Sequence, residues 1–396
     1  MDLTIASFEV FKVAPRWVFL RVNTEDGIVG WGEPNLEGFS ECVVETVSNL
    51  MKDSVIGERA DRAAYIIAKL RRQKFYGTTS GPIICSAIAG IDQALMDING
   101  KALKCPVHRL IGGAVRDRLK VYRWFGGDNN EPEDAAAEAA RIIATSNFKQ
   151  LKMNACGKMA FIAGESVLDA AEKRMAAVRA AVGPDIGIGL DFHGRVKVPT
   201  AKQLVSRLDK YKPLFFEEPV AESQNAYLDH VAASTPTPLA TGERMYSLAQ
   251  FRDLLERRSV HIIQPDCSHA GGISELVKIA RMAEAYEVCL APHCPLGPIA
   301  LASCLHVDAT CVNFAFQEMS LGIHYNSEGE SAGEPLLGYL NNPEVFDVDV
   351  DGYVQLLSGP GLGVDINEAA VRNAAKRGHQ WRDREWVLQD GTPTTW

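Results

Sequence analysis

Seven side chains able to bind a metal or move a proton recur at near-constant intervals in the second half of the chain. They are Asp191 with His193, Glu217, Glu243, Asp266, His293 and Glu318. From Asp191 the successive gaps are 26, 26, 23, 27 and 25 residues. Each gap is the length of one strand–helix unit, so in a parallel barrel the set converges on one mouth at the strands' C-terminal ends. Asp191, Glu217 and Glu243 offer carboxylates from consecutive units, an all-oxygen set that suits a hard cation such as Mg2+. Any one of them alone reads better as a helix cap; three in succession read as a metal site. In Phe215-Phe216-Glu217-Glu218-Pro219 only one glutamate can point inward, and the other is expected to meet a basic neighbour.

Asp266 and His293 fall at adjacent strand ends, where a carboxylate can orient an imidazole and raise its basicity. His193 lies two residues beyond Asp191, on the same face of an extended strand, and supplies a second titratable group across the mouth. A base on one side and an acid on the other point to elimination rather than hydrolysis. Glu318 can donate a hydrogen bond to a developing enolate if burial raises its pKa, or it caps a helix. Lys152 and Asn154 end an earlier apolar run and are candidate substrate-binding groups, with Lys152 neutralising a substrate carboxylate. His261 and His269 break the period and are expected on the surface or in loops, while Cys267 and Cys294 read as packing residues.

These groups must be carried by regular elements. Eight short apolar runs alternate with amphipathic stretches: 119–125, 148–153, 186–192, 213–217, 238–242, 260–265, 287–292 and 314–318. The clearest helix has Leu168, Ala171, Met175, Val178 and Val182 in one stripe. Eight strand–helix units predict an α/β fold of the TIM (β/α) barrel type. A doubly wound sheet would carry a Gly-rich phosphate turn after its first strand, and Gly126-Gly127-Asp128 lacks that fingerprint. Ahead of the barrel, strands over 5–13 and 17–23 and helices over 42–51, 60–74 and 83–99 predict an α+β capping domain over residues 1–118. The barrel is predicted over 119–334. A strand-and-turn segment over 335–396, with strands at 352–357 and 363–366, is predicted to pack back on the cap.

Composition narrows the function. With 396 residues, 46 % of them hydrophobic, the chain can bury a full core. A net charge of −9 leaves no basic excess for nucleic acid. The most apolar stretch, Val288 to Leu305, carries Pro292, Pro295 and Pro298 and is no membrane span. Nine cysteines without a Cys-x-x-Cys pair, and an N-terminus without an apolar leader, predict free thiols and a cytoplasmic location.

Several segments resemble the enolase superfamily in its mandelate-racemase-like branch, most closely the D-galactonate dehydratases. They include Gly189-Leu190-Asp191-Phe192-His193-Gly194-Arg195, Glu217-Glu218-Pro219, Gly242-Glu243-Arg244-Met245 and Gln264-Pro265-Asp266. Ala291-Pro292-His293-Cys294-Pro295 and Val29-Gly30-Trp31-Gly32-Glu33-Pro34 extend the likeness to nearly the whole chain. The resemblance implies a modified barrel under an α+β cap, with Mg2+ held by Asp191, Glu217 and Glu243. It implies that His293, paired with Asp266, takes the C2 proton of a sugar acid, that His193 protonates the departing 3-hydroxyl, and that Glu318 stabilises the enolate. The expected product is a 2-keto-3-deoxy acid, from D-galactonate or a close aldonate such as D-gluconate, and the expected assembly is a homo-oligomer. An epimerase and a non-catalytic sugar-acid-binding barrel are the alternatives. Racemases of this branch carry Lys-x-Lys where Lys152 and Asn154 stand, and the asparagine disfavours a two-base racemase. The loop Gly77-Thr78-Thr79-Ser80-Gly81 is longer and less basic than the resemblance implies.

Overall fold

The computed structural model describes residues 1–75, 81–127, 131–321 and 336–396. Gly77 to Ser80, Asp128 and Glu334 therefore lie outside the described residues.

The N-terminal region is an antiparallel sheet of β1 (Ile5–Val13), β2 (Trp17–Thr24) and β3 (Val29–Gly32), backed by helices. Side chains alternate across a strand, and here the alternation divides two cores. Phe11, Val13, Trp17 and Phe19 join the barrel core, whereas Phe8, Val10, Leu20 and Val22 face α1 (Ser40–Leu50), α2 (Ala63–Arg72) and α3 (Pro82–Ala102). Helix α3 lies so close to β3 that a Cβ on Gly32 would collide with the Gly90 carbonyl, and one on Gly30 with that of Ala94. Gly32→Ala is therefore expected to cost about 1–3 kcal/mol. Urea unfolding should show a lower midpoint at unchanged slope, and a wild-type midpoint would show that the contact can give way. A short turn of helix, α4 (Val107–Leu110), leads into the barrel.

Eight parallel strands follow: β4 (Arg118–Trp124), β5 (Gln150–Asn154), β6 (Gly187–Asp191), β7 (Phe215–Glu217), β8 (Leu239–Thr241), β9 (Ile262–Ile263), β10 (Cys289–Leu290) and β11 (Gln317–Met319). Each pairs with the next from β4 to β10, and β11 pairs back onto β4. A bridge between Leu290 and Phe314 closes the remaining gap. All eight predicted runs contain or overlap a strand. Among the described residues, seven helices lie between the eight strands. These are α5 (Pro132–Thr145), α6 (Glu165–Val182), α7 (Val198–Leu208), α8 (Leu228–Ala232), α9 (Leu248–Glu256), α10 (Ile273–Glu284) and α11 (Pro298–Thr310). After β11 the next described α-helix is α12 (Glu368–Ala375), which packs on β1 of the cap sheet instead.

Inside the barrel the rings of Tyr122, Phe215 and Phe316 form a floor, with Phe215 and Phe316 stacked at 5.4 Å. Gly189 makes room for it, since a Cβ there would strike the Phe215 ring. The cap is tied to the barrel by carboxylates placed at helix N-termini, where free N–H groups need acceptors. Glu33 accepts from Gly297 N–H (2.7 Å) and Ala300 N–H (2.9 Å) at the start of α11. Asp92 of α3 accepts from the Ser274 N–H and hydroxyl at the start of α10. In the tail, β12 (Tyr353–Gln355) pairs antiparallel with the outer part of β4, and the Tyr339 hydroxyl donates to Ala14 O at 2.7 Å. The strand predicted over 363–366 is corrected to a single bridge from Ile366 to Leu340.

Candidate active site

Strand register brings the spaced residues together. Asp191 is paired with Asn154 on one side and Glu217 on the other, so the ends of β5, β6 and β7 lie level. Glu243 follows Gly242 just past β8, and oxygens of Asp191, Glu217 and Glu243 lie within 4.8 Å of one another. Lys152, on the same inward face of β5, reaches beneath them. Its Nζ lies 2.8 Å from Glu217 Oε1, 3.1 Å from Glu318 Oε1 and 3.5 Å from Asp191 Oδ2. Burial would lower the Lys152 pKa, but Glu217 and Glu318 outweigh it and hold the ammonium charged.

This electrostatic arrangement favours a cation. Burial pushes the carboxyls of Glu217 and Glu243 well above their ordinary range, and neighbouring carboxylates, Asp191 and Glu218 respectively, push them further. Asp191 is lowered instead: burial acts against ionisation, but His193 and Lys152 prevail. Buried Glu217 Oε2 accepts no hydrogen bond among the described residues. A divalent cation between these oxygens would relieve the repulsion and satisfy that atom, so the donor set fits a hard metal ion.

The two histidines flank this cluster and are held in opposite ways. His293 Nδ1 lies 2.8 Å from Asp266 Oδ2, and its Nε2 lies 3.6 Å from Glu243 Oε2. Asp266 is fixed in turn, because its Oδ1 accepts from the N–H groups of Ser268 (2.7 Å) and His269 (3.2 Å). A carboxylate accepts only, so Nδ1 of His293 carries a proton in either charge state and Nε2 is the atom that gains or loses one. Burial depresses the His293 pKa, yet the Asp266 hydrogen bond and the charge of Glu318 carry it up to about 9. His193 has its ring reversed in role. Arg195 Nη2 lies 2.8 Å from His193 Nδ1, and an arginine only donates, so Nδ1 accepts and Nε2 carries the hydrogen. That Nε2–H points at Asp191 Oδ2, 2.9 Å away. Buried Arg195 is itself pinned by donating to Cys156 O (2.7 Å) and by lying over the Trp386 ring of the tail.

Glu318 is buried in the middle of β11, and both of its oxygens are acceptors here, from Lys152 and from Cys294 N–H (3.0 Å). Asn154 and Lys152 are buried beneath the carboxylates rather than lining the open cavity. Glu218 meets the basic neighbour anticipated for it: Arg244 Nε and Nη2 donate to its two oxygens at 2.9 and 2.6 Å.

A cavity of about 320 Å³ is lined by His193, Glu243 and His293 together with Arg16, Glu37 and His269. Two larger grooves, of about 720 and 910 Å³, touch none of the seven spaced residues. His269, expected on the surface or in a loop, sits in a loop but is buried there between Asp266 (3.7 Å) and Glu37 (3.4 Å), one helical turn past Asp266. Arg195 was also missed, because the chain turns at His193 and Gly194 before reaching it. His261 is exposed, as expected.

The chain matches two family descriptions. Residues 7–112 match the mandelate racemase / muconate lactonizing enzyme N-terminal domain, and residues 134–370 match the enolase C-terminal domain-like family. It is 47 % identical to a D-galactonate dehydratase of Klebsiella pneumoniae and 48 % identical to one of Pectobacterium atrosepticum, over all of both chains in each case. Among solved structures, an enolase from Agrobacterium radiobacter bound to Na and L-malate superposes with a TM-score of 0.88 at 31 % identity, covering 99 % of each chain. A member of the enolase superfamily from Salmonella Typhimurium superposes at 0.82 and 28 % identity, covering 93 % of this chain and 97 % of the other. Described residues include no helix long and apolar enough to cross a membrane. With its strand-end carboxylates, its capping sheet and full-length relatives of one kind, the chain belongs to the mandelate racemase/muconate lactonizing enzyme branch of the enolase superfamily.

Proposed function

We propose that the chain is a Mg2+-dependent hydro-lyase that removes water from D-galactonate to give the 2-keto-3-deoxy acid. The observation that carries this reading is the opposite setting of the two histidines, a basic Nε2 on His293 and an Nε2–H on His193, on either side of one carboxylate cluster. Full-length relatives named D-galactonate dehydratase support the substrate. All nine cysteines are free thiols, in keeping with a cytoplasmic enzyme.

In this reading Asp191, Glu217 and Glu243 hold the cation. Bound Mg2+ supplies a fixed positive charge where the enolate oxygen develops. His293 Nε2 takes the C2 proton, with Asp266 opposing the charge that forms on the ring. As the C3–O bond breaks, His193, entering the step as the imidazolium, delivers its Nε2 proton to the departing hydroxyl, which leaves as water while the ring returns to its neutral form. The enol then tautomerises to the 2-keto product. Lys152 holds Glu217 and Glu318 in place from below.

Arg195 fixes the His193 ring with Nε2 turned toward the carboxylate cluster. Arg195→Gln is expected to lower dehydration by about 10–100-fold while C2 hydrogen exchange with solvent persists, because the base is untouched. Equal loss of both reactions would show that Arg195 merely supports the fold.

The reading is tested by incubating the purified chain and Mg2+ with a set of aldonates and assaying 2-keto acid. D-Galactonate is expected to react fastest and D-gluconate more slowly. Inversion at C2 without a 2-keto product would make the chain an epimerase, and binding without either reaction would make it a receptor.

A further inference from the structure

Between residues 381 and 396 the chain buries a single side chain, that of Trp386. Trp386 begins β13 (Trp386–Val387), which pairs antiparallel with β14 (Pro393–Thr394). A two-stranded ribbon is marginal alone, so its position is set by what it docks on. It docks on the loop after β5. The Thr394 hydroxyl donates to Met159 O at 2.8 Å, and Lys158 Nζ donates to Val387 O at 3.3 Å. The same loop supplies Cys156 O, which accepts from Arg195 at 2.7 Å. Trp386 closes this group, with the Arg195 guanidinium 4.7 Å from its ring centroid and Lys158 Nζ 5.7 Å from it.

The tail thereby stands behind the histidine assigned as the acid. His193 lies past the end of β6, in a turn where the backbone is left-handed at His193 and Gly194, so no strand holds it. Its ring is held at Nε2 by Asp191 (2.9 Å) and at Nδ1 by Arg195 (2.8 Å). A long arginine side chain can direct a neighbour only when its own rotamers are fixed. Arg195 is 2 % exposed, with Cys156 O on one amino group and the Trp386 ring across the guanidinium. We propose that Trp386 is a positioning residue for the dehydration: its ring fixes the Arg195 guanidinium and, through it, the direction of the His193 imidazole. This rests on the reading of His193 as the general acid. It gives the one buried side chain of the tail a part in proton transfer to the departing hydroxyl.

The test follows 2-keto acid formation and C2 hydrogen exchange from D-galactonate in D2O, on the full chain with Mg2+. A cation–π contact shielded from water is worth about three- to thirty-fold, so Trp386→Leu is expected to lower dehydration by that factor. C2 exchange should keep its wild-type rate, because the His293–Asp266 pair is untouched. Trp386→Phe keeps a ring over the guanidinium and should recover most of the loss. The ring C–H resonance of His193, assigned by its absence in His193→Asn, reads the same coupling without turnover. It should move in Trp386→Leu and return in Trp386→Phe. Equal loss of dehydration and exchange, or an unmoved His193 resonance, overturns the proposal and makes Trp386 an anchor of the tail only. If wild type neither dehydrates D-galactonate nor exchanges its C2 hydrogen, the dehydratase reading fails, yet the resonance still decides whether Trp386 sets the His193 ring. Should Trp386→Leu fail to fold, Trp386→Met, which fills the space without a π face, carries the same comparison.

Discussion

Replacing Glu217 by glutamine is expected to abolish turnover and weaken Mg2+ binding by about 100-fold or more while leaving the fold intact. Glu217 is the middle of the three carboxylates and is fully buried, so its charge acts on a bound cation with little screening by water. Glutamine keeps the shape, and its carbonyl can still accept from Lys152, which retains Glu318 and Asp191 as partners. Stability should not suffer. Burial and Asp191 raise the Glu217 pKa, so any stability this group adds is present below its unfolded pKa and lost as pH rises. At neutral pH the metal-free variant should melt at or above the wild-type temperature. Calorimetric titration with Mg2+ reads the affinity and a 2-keto acid assay reads the turnover. Wild-type values for both would sink the three-carboxylate site.

How much of this centre was readable follows from how each residue is placed. Asp191, Glu217, Glu243, Asp266, His293 and Glu318 were legible because the barrel repeats a unit of near-constant length, so one period in the sequence becomes one step around the mouth. The loop expected for His269 is where it sits, but its burial was not legible. It sits off the strand period but one helical turn from Asp266, where a tight loop folds it inward. Arg16 and Glu37 have no period at all: they come from loops of the cap sheet and reach the site only through docking of the cap on the barrel. Arg195 does not follow from strand alternation, because β6 ends at Asp191 and the chain turns at His193 (φ +49°) and Gly194 (φ +60°) before reaching it. What sequence could not supply was the direction of each imidazole, which depends on whether its Nδ1 faces a carboxylate or a guanidinium.

That direction makes the largest kinetic contrast, and it separates the histidines experimentally. The C2 proton of an aldonate is weakly acidic, so its removal needs a well-placed base. His293, with Asp266 behind Nδ1 and a pKa carried up to about 9, has a strongly basic Nε2. His293→Asn is expected to abolish both dehydration and exchange of the C2 hydrogen with deuterium. His193→Asn removes the Nε2–H but leaves the His293–Asp266 pair untouched. Loss of the 3-hydroxyl should stop, while slow C2 exchange continues because the enolate can form and be reprotonated from the side it left. Each general acid or base is worth about 10²–10⁴-fold, so the two exchange rates should differ by at least the lower figure. NMR of D-galactonate in D2O with each variant reads product and exchange together. Exchange that persists in His293→Asn and vanishes in His193→Asn would reverse the assignment. His193 would then be the base, and the arginine at its Nδ1 would have to be reinterpreted as a group that orients a proton acceptor.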